Sequence, residues 1–398
     1  MKILFLDWAC FGKADVLDAL KNLGHDVTLY SVEKEVRTLG FYTRYIEEAA
    51  AIIRSEQIEL VFSLNYFPNV SEACEKCGCK YISWIYDSPY NKCYSINVIN
   101  PCNMIFTFDR HMYTKFCRNF VQTVYYAPLS ANVSRLDKIR LSATEKDKYT
   151  SDISFVGTLY DERHNNYEEL LTVLKGKKKH RTIGFINALI DSQLNTYGYQ
   201  FLSNVLNQNT DIMETLPDSL NDISQTSLHF TTLADSFADH ILCRKIASME
   251  RREMLTALST HFTTKLYTPN PDAKVGQCIN CGYVDYKNEM PKVFKMSKIN
   301  LNITLRSIRT GIPLRAMDIM GSGGFLMTNY QDDFLLHFEP DLDYVYYSSR
   351  EELLEKVSYY LSHDRERKRI AENGYRKVSE NHTYEIQIAH MISMAFPS

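Results

Sequence analysis

The 398-residue chain lacks any apolar run that approaches the ~20 residues of a membrane-spanning helix, which excludes a helical integral membrane protein. Its opening stretch, MKILFLDWACFGK, places one lysine before a short apolar run, a pattern that fits a first strand better than the core of a secretory signal. We therefore expect a soluble, cytoplasmic protein. Peripheral contact with a membrane surface stays open, because it needs no long apolar segment.

The chain also has little excess charge. Its 45 lysines and arginines against 48 acidic residues give a net charge of -3, so nucleic acid is not an expected partner. A local basic run at residues 175–181 is interpreted as the solvated end of a helix, with a patch for an anionic partner as the alternative. The first predicted strand-to-helix loop has no G-x-G-x-x-G pattern, so no dinucleotide is expected there.

Ten cysteines are scattered along the chain, and without a secretory signal we expect free thiols. One cluster, formed by Cys74, Cys77 and Cys79, and a second, formed by Cys278 and Cys281, have spacings found in zinc sites. The clusters are about two hundred residues apart in different predicted domains. We therefore favour small thiols without a metal, with zinc as the alternative.

What the chain does contain is an alternation of strand and helix patterns. In the first half, strands are predicted at 2–6, 26–30, 60–64, 81–86, 104–108 and 121–126, and helices at 14–23, 42–55, 70–76 and 112–116. This alternation predicts an α/β fold with a parallel, doubly wound sheet. Ligands of such sheets bind at the carboxyl ends of the strands.

The second half repeats the α/β pattern after a polar, charged segment. We predict a first domain at 1–133, a linker at 134–150, a second domain at 151–380 with a helical insertion at about 187–262, and a C-terminal helix at 381–398 that packs back toward the first domain. Strands of the second domain are predicted at 152–156, 264–267, 283–285, 299–303, 324–328 and 344–347.

Residues 297–330 carry the strongest chemical signal of the chain. They read as a strand, a basic loop, a helix, a glycine turn and a strand, and Arg306, Arg309 and Arg315 surround the loop. The N-terminus of a helix beside arginines is an anion site, and Asp318 lies in the same helix. Arginine for phosphate and a carboxylate for ribose hydroxyls are what a nucleotide-sugar site needs. The alternatives are a surface ion pair for Arg315 and an internal pair with an arginine for Asp318.

A second phosphate-handling loop is predicted after the strand at 152–156. Backbone N–H groups at Gly157 and Thr158 would approach a diphosphate, and Arg163 would converge on the same crevice. A tight strand-to-helix turn is the alternative interpretation. Gly323, in the turn after the arginine-bearing helix, is assigned to the same donor-binding set.

Candidate acceptor residues follow the strands of the first half. Asp87 could contact the acceptor hydroxyl or act as a base, with an Asx turn before Pro89 as the alternative. His111 could also be a base, although a helix N-cap by Asp109 with a solvent-facing histidine is favoured. The first strand-to-helix loop is expected to border the acceptor through three residues: Asp7, Trp8 and Lys13.

Two segments, 155–164 (FVGTLYDERH) and 309–325 (RTGIPLRAMDIMGSGGF), resemble the CgeB-like glycosyltransferases, whose C-terminal domain is of the group-1, family 4-like kind. The resemblance extends over nearly the whole chain, with its specific motifs at 153–382. The N-terminal half resembles the poorly characterised domain that often precedes them. The resemblance implies a GT-B fold, with two Rossmann-like domains facing a cleft and a helical insertion in the C-terminal half.

The same resemblance implies a hexosyltransferase-type enzyme (EC 2.4 class) that moves a sugar from a nucleotide-diphosphate sugar to a glycan, a lipid-linked glycan, a surface polysaccharide or a protein. Retention of configuration, independence of metals and cofactors, and a place in cell-surface glycan biosynthesis are implied with it. Fixed arginines would stabilise the charge that develops on the leaving diphosphate. We therefore assign catalytic roles to Asp87, Arg163 and Arg315.

Family 4-like enzymes carry two acids eight positions apart near this helix, and the second of them holds the donor ribose. Asp318 occupies that second position, whereas Thr310 stands at the first and is a departure from the family pattern. A phosphorylase or epimerase on the same scaffold is therefore one alternative. A non-catalytic protein that binds nucleotide sugars or glycans is another.

Overall fold

The computed structural model describes residues 1–32, 42–161, 166–174, 179–216 and 231–397. Contacts divide the described chain into two compact units. The first unit is built mainly from Met1–Ser130 and Asn381–Ser398, and the second from Ala131–Ile223 and Thr232–Glu380.

The first unit contains one six-stranded sheet. Its strands are β1 (Lys2–Asp7), β2 (Asp26–Ser31), β3 (Leu60–Leu64), β4 (Lys80–Ile85), β5 (Asn103–Thr107) and β6 (Val124–Tyr126). Its helices are α1 (Lys13–Asn22), α2 (Thr43–Ser55), α3 (Pro68–Cys77) and α4 (Arg110–Arg118). All strand pairs are parallel, in the order β2-β1-β3-β4-β5-β6.

The burial of its inner strands fits the parallel arrangement of this sheet. β3 and β5 are buried at every residue, as expected for inner strands of a parallel sheet that helices cover on both faces. The covering helices are amphipathic. In α2 the buried residues Ile46, Ala49, Ala50 and Ile53 recur at helical spacing and form one apolar face.

The second unit contains another six-stranded sheet. Its strands are β7 (Ser151–Val156), β8 (Thr264–Tyr267), β9 (Ile279–Asn280), β10 (Ser297–Asn302), β11 (Leu326–Asn329) and β12 (Val345–Tyr347). They are again parallel, in the order β12-β11-β10-β7-β8-β9. Because β7 pairs with β10, their carboxyl ends meet at the centre of one sheet edge.

The remaining helices follow β6 in the chain. They are α5 (Val133–Leu136), α6 (Ala143–Tyr149), α7 (Asn166–Val173), α8 (Lys179–Leu194), α9 (Leu202–Gln208), α10 (Thr210–Met213), α11 (Leu233–Phe237), α12 (Cys243–Ser259), α13 (Met290–Met296), α14 (Leu314–Gly321), α15 (Phe334–His337), α16 (Arg350–Ser362), α17 (Asp364–Asn381) and α18 (Tyr384–Ala395). Helices α7 to α12 separate β7 from β8 in the chain and pack around an apolar core of their own. A single π-helical turn, Ala238–Leu242, joins α11 to α12.

The predicted α/β class with parallel sheets is confirmed, and the helix that ends the chain, α18, groups with the first unit. There α18 packs against α1, and Asn22 donates a hydrogen bond to Glu385 at 3.2 Å. The strand predicted at 283–285 is wrong. The edge strand β9 instead pairs at two positions, Ile279 and Asn280, and such a short strand leaves little periodic signal.

Within the residues that the structure describes, no helix is long and apolar enough to cross a bilayer.

Candidate functional site

The candidate donor site of the second unit lies where β7 and β10 end. Gly157 and Thr158 follow β7, and Ile303 follows the adjacent strand β10. Ligands of parallel α/β sheets bind at this edge. The sequence predicted a phosphate loop at Gly157 and Thr158, and the structure places the N-terminal turn of α14 beside it through Arg315.

Arg251, on α12, ties the two strand ends together. Its Nη1 donates to the carbonyl of Thr158 at 2.6 Å, and its Nη2 donates to the carbonyl of Ile303 at 2.7 Å. The side chain is 2% exposed, and its Nε has no hydrogen-bond partner. Two neutral carbonyls orient this guanidinium but do not neutralise it. Sequence reasoning missed Arg251, because a charged run on a helix is typical of a solvated face.

Arg315 lies on the first turn of α14 and reaches the loop after β7. A Cβ at position 157 would lie 2.8 Å from the Arg315 Nη2, so the absence of a side chain at Gly157 allows this close approach. The side chain donates one long hydrogen bond, 3.4 Å, to the Oδ1 of Asn302. Burial and the neighbouring charge of Arg251 lower the pKa of Arg315 to about 10, so the group remains a cation at neutral pH.

The two guanidinium groups share an aromatic neighbour. The ring of Phe155 lies 5.4 Å from the Arg251 guanidinium and 5.8 Å from that of Arg315, and Tyr160 lies 4.7 Å from Arg251. Among the described residues, no carboxylate oxygen lies within 4.0 Å of a nitrogen of either group. Two adjacent, partly desolvated cations cost free energy unless an anion joins them. Beside the N-terminus of a helix, they form a candidate anion site.

Arg306 was predicted to bind the donor, but its charge is already compensated. Its Nε and Nη2 donate to the two carboxylate oxygens of Glu250 at 3.1 and 2.9 Å, and its guanidinium stacks 4.1 Å from the ring of Tyr197. Both partners of the ion pair are buried. The pair anchors the loop after β10 to the helices α7 to α12.

Arg309, the second predicted donor contact in this loop, is held in the same way. Its Nη2 donates to the Oδ1 of Asp239 at 3.1 Å and to the hydroxyl of Ser203 at 3.0 Å. Asp239 belongs to the π-helical turn. The structure therefore separates Arg309 and Arg306, which have acidic partners, from Arg315.

The remaining predicted donor residues lie around α14. Asp318 is buried and accepts a hydrogen bond from the hydroxyl of Tyr286 at 3.4 Å. The hydroxyl of Thr310 donates to the carboxylate of Asp333 at 3.2 Å, so an acid lies next to the position at which family 4-like enzymes carry their first acid. Gly323 ends α14 at a φ of 76°, a conformation that glycine adopts without strain. Arg163, predicted to be catalytic, lies outside the described residues.

In the first unit, the predicted acceptor residues follow β1, β4 and β5. Asp7 and Lys13 form an ion pair at 2.5 Å, and the Nε1 of Trp8 donates to the carbonyl of Leu64 at 3.0 Å. The Oδ2 of Asp87 accepts a hydrogen bond from Asn65 at 2.7 Å.

The structure has the arrangement favoured for His111, a helix N-cap by Asp109 followed by a solvent-facing histidine. The carboxylate of Asp109 caps α4 by accepting from the backbone N–H of His111 at 3.1 Å, and the His111 side chain is exposed. An exposed side chain at the start of α4 is what the N-cap interpretation predicts.

The cysteines, all within the described ranges, are free thiols. No three histidine, cysteine or acidic side chains are arranged to hold a metal ion in the part of the chain that the structure describes. The sequence contains one Asp-x-Asp spacing, at Asp341 and Asp343. Its acids have protein partners, because Tyr360 donates to Asp341 at 3.2 Å and Lys377 approaches Asp343 at 3.2 Å.

Comparison with known proteins identifies a related family model and related folds. Residues 244–393 match the family model described as glycosyl transferase-like, a segment that includes Arg251 and Arg315. No curated protein matches the chain.

Among solved structures, sucrose-phosphate synthase from Thermosynechococcus elongatus is similar with a TM-score of 0.56 and 9% identity, over 99% of this chain and 99% of that one. A glycosyltransferase from Rickettsia africae has a TM-score of 0.53 and 11% identity, over 99% and 97% of the two chains. T4 phage BGT, solved with its UDP-glucose substrate, has a TM-score of 0.50 and 11% identity over 100% of both chains.

The fold is GT-B. At these identities the structural likeness shows the fold alone, and the glycosyl transferase-like match belongs to the C-terminal part of the chain. The finer CgeB-like assignment and the kinship of the N-terminal domain stay predictions.

Proposed function

We propose that this protein is a glycosyltransferase that takes a sugar from a nucleotide-diphosphate sugar. The observation that carries the proposal is the pair Arg251 and Arg315, two adjacent cations at the ligand-binding edge of the second sheet with no carboxylate in ion-pair contact among the described residues. Both residues belong to the segment that matches the glycosyl transferase-like model.

The proposed chemistry is stabilisation of a leaving group. The Arg251 and Arg315 guanidinium groups, the loop at Gly157 and Thr158 and the N-terminus of α14 would hold the diphosphate. As the bond from the sugar to phosphate breaks, negative charge grows on the diphosphate, and cations that are already oriented stabilise it without reorganising. Transfer would then need no metal and no cofactor. Retention of configuration remains part of the proposal through the family 4-like resemblance.

Asp318 is proposed as the ribose contact. Its hydrogen bond from Tyr286 is long at 3.4 Å, so ribose hydroxyls could compete for the same carboxylate. Arg306 and Arg309 are reassigned to anchoring the loop, because each already has a carboxylate partner. Arg163 keeps its predicted role beside the diphosphate.

The first unit is proposed to bind the acceptor, through Asp87 and the loop that carries Asp7, Trp8 and Lys13. The acceptor would be a glycan, a lipid-linked glycan, a surface polysaccharide or a protein. A cytoplasmic enzyme of cell-surface glycan biosynthesis, with peripheral contact to a membrane, fits the proposal.

The test begins with thermal shift of the purified chain against UDP-, GDP-, dTDP- and CMP-sugars in EDTA, followed by nucleotide-release assays. We expect one class of nucleotide sugar to stabilise the protein and to be turned over. The variants Arg315→Ala and Asp318→Ala should abolish turnover while the protein stays folded. A protein that no nucleotide stabilises would contradict the proposal.

A second candidate function, non-catalytic binding of nucleotide sugars or glycans, is favoured by one observation. Thr310 stands at the position of a family acid, and the neighbouring carboxylate of Asp333 is fully buried. Stabilisation by a nucleotide sugar without any release of nucleotide would support this alternative over glycosyl transfer.

A further inference from the structure

Asn65, which follows β3, occupies a position that the sequence did not single out. It is 1% exposed and has a φ of 62°, in the left-handed region that asparagine tolerates better than most side chains. Its backbone N–H donates to the carbonyl of Trp84 at 2.8 Å, which joins the end of β3 to β4.

The side-chain amide of Asn65 forms hydrogen bonds with the residues that follow β4. Its Oδ1 accepts from the backbone N–H of Tyr86 at 2.8 Å and from that of Asp87 at 3.4 Å. Its Nδ2 donates to the carboxylate Oδ2 of Asp87 at 2.7 Å. One buried side chain therefore fixes both the backbone and the carboxylate of Asp87.

Asp87 itself is exposed at the ligand-binding edge of the first sheet. While Asn65 holds its Oδ2, its Oδ1 has no partner among the described residues. The Asx turn that was the alternative for Asp87 would use the carboxylate to bond its own backbone. In the structure the carboxylate instead accepts a hydrogen bond from Asn65 through its Oδ2. This bond fixes the direction in which the Oδ1 points.

We infer that Asn65 is a positioning residue, which holds Asp87 so that its Oδ1 accepts a hydrogen bond from the acceptor hydroxyl. The inference rests on the proposed function, since it concerns the acceptor of the same transfer. It restricts the acceptor group to one that donates a hydrogen bond and carries no negative charge, such as a hydroxyl, because a carboxylate oxygen accepts hydrogen bonds and repels anions. Water meets the same requirement and serves as the acceptor probe when a donor sugar is hydrolysed.

The test compares nucleotide release from the best donor sugar, with water as the acceptor, in the wild type, Asn65→Gly, Asp87→Asn and the double variant. Glycine adopts the same φ without strain, so Asn65→Gly removes the amide and keeps the backbone conformation. We expect kcat to fall about 10- to 100-fold in each single variant with the donor KM unchanged, as misplacement of a reacting group by about 1 Å does. The double variant should be no slower than Asp87→Asn, because the amide acts only through that carboxylate.

Asn65→Asp provides a second variant if Asn65→Gly is poorly folded. It retains an oxygen for the Tyr86 and Asp87 N–H groups but sets a carboxylate against Asp87. We expect a larger loss of kcat than in Asn65→Gly, again with the donor KM unchanged.

The outcomes separate the two proposals. Wild-type kcat in Asn65→Gly, or losses that multiply in the double variant, would overturn the positioning role alone. A wild type that binds donor without releasing nucleotide would overturn both glycosyl transfer and this role. A chain that binds no nucleotide would overturn the proposed function from which the inference starts.

Discussion

Two pairs of arginines at the same edge of the second sheet differ in one respect, their counter-ions. Arg306 and Arg309 each meet a carboxylate, from Glu250 and Asp239, at 2.9 and 3.1 Å. Arg251 and Arg315 are oriented by neutral oxygens, and burial together with the charge of Arg251 lowers the pKa of Arg315. We infer that the compensated cations stabilise the fold, and we propose that the uncompensated cations bind an anionic ligand.

The largest effect on stability is expected when the buried ion pair of Arg306 and Glu250 is broken. Arg306→Ala leaves Glu250 buried without its partner, so we expect the free energy of unfolding to fall by about 3–5 kcal/mol. Urea unfolding measures it. Arg350→Ala, which breaks the exposed pair with Glu253, is the control and should change stability little. A stable Arg306→Ala protein that has lost nucleotide binding would reverse the roles of the two pairs.

Removing a cation that has no carboxylate partner should lower ligand affinity and leave stability unchanged, the opposite of the effect expected for Arg306→Ala. In Arg315→Met we expect the affinity for the donor nucleotide to fall about 10- to 100-fold, equivalent to about 1.4–2.8 kcal/mol. The melting temperature without ligand should stay the same or rise, because the repulsion from Arg251 is removed. Calorimetric titration and thermal melts measure the two quantities. Loss of stability with unchanged affinity would show that Arg315 is structural.

A smaller effect is expected from filling the space beside Arg315. In Gly157→Ala the new Cβ would lie 2.8 Å from the guanidinium, and the flexible side chain must move away. We expect nucleotide affinity to drop several-fold, together with a loss of stability, because the φ of 157° strains a residue that has a Cβ. Gly78→Ala is the matched control, since this position also has a positive φ, 64°, and a Cβ there meets no atom within 4 Å. Equal affinity in the two variants would argue against a ligand at the Arg315 guanidinium.

The smallest effect concerns pH. A group whose pKa is lowered to about 10 is still cationic at neutral pH, and it loses its charge only as the pH rises through that value. Donor affinity should therefore be flat from about pH 6 to about pH 8.5 and weaken above it. Titrations across this range check the prediction. A step near pH 6 to 7 would assign the binding charge to a histidine instead.

Strand periodicity predicted much of the fold. β3 and β8 have the predicted bounds, 60–64 and 264–267, because an apolar run bounded by polar residues fixes a buried strand. The capped helix after Asp109 was also predictable, since the cap and the helix adjoin in sequence. Such local signals need no knowledge of the partner strand.

The candidate site could be predicted only in part. Gly157 and Arg315 stand out in the sequence, but the counter-ions that set Arg306 and Arg309 apart come from helices far along the chain. Arg251 looks like ordinary helical surface charge until packing shows that it is buried. Asn65 has no sequence signal, because its role depends on a left-handed backbone and on contact with the end of β4.

The central claim is that Arg251 and Arg315 form the diphosphate site. Its most direct test is calorimetric titration of inorganic pyrophosphate and of the best nucleotide diphosphate, in EDTA, into the wild type, Arg315→Met and the surface control Arg350→Met. We predict that both ligands bind the wild type and the control, and that Arg315→Met weakens both by a similar factor. Equal binding of pyrophosphate to all three proteins, or binding that requires a divalent metal, would contradict the claim.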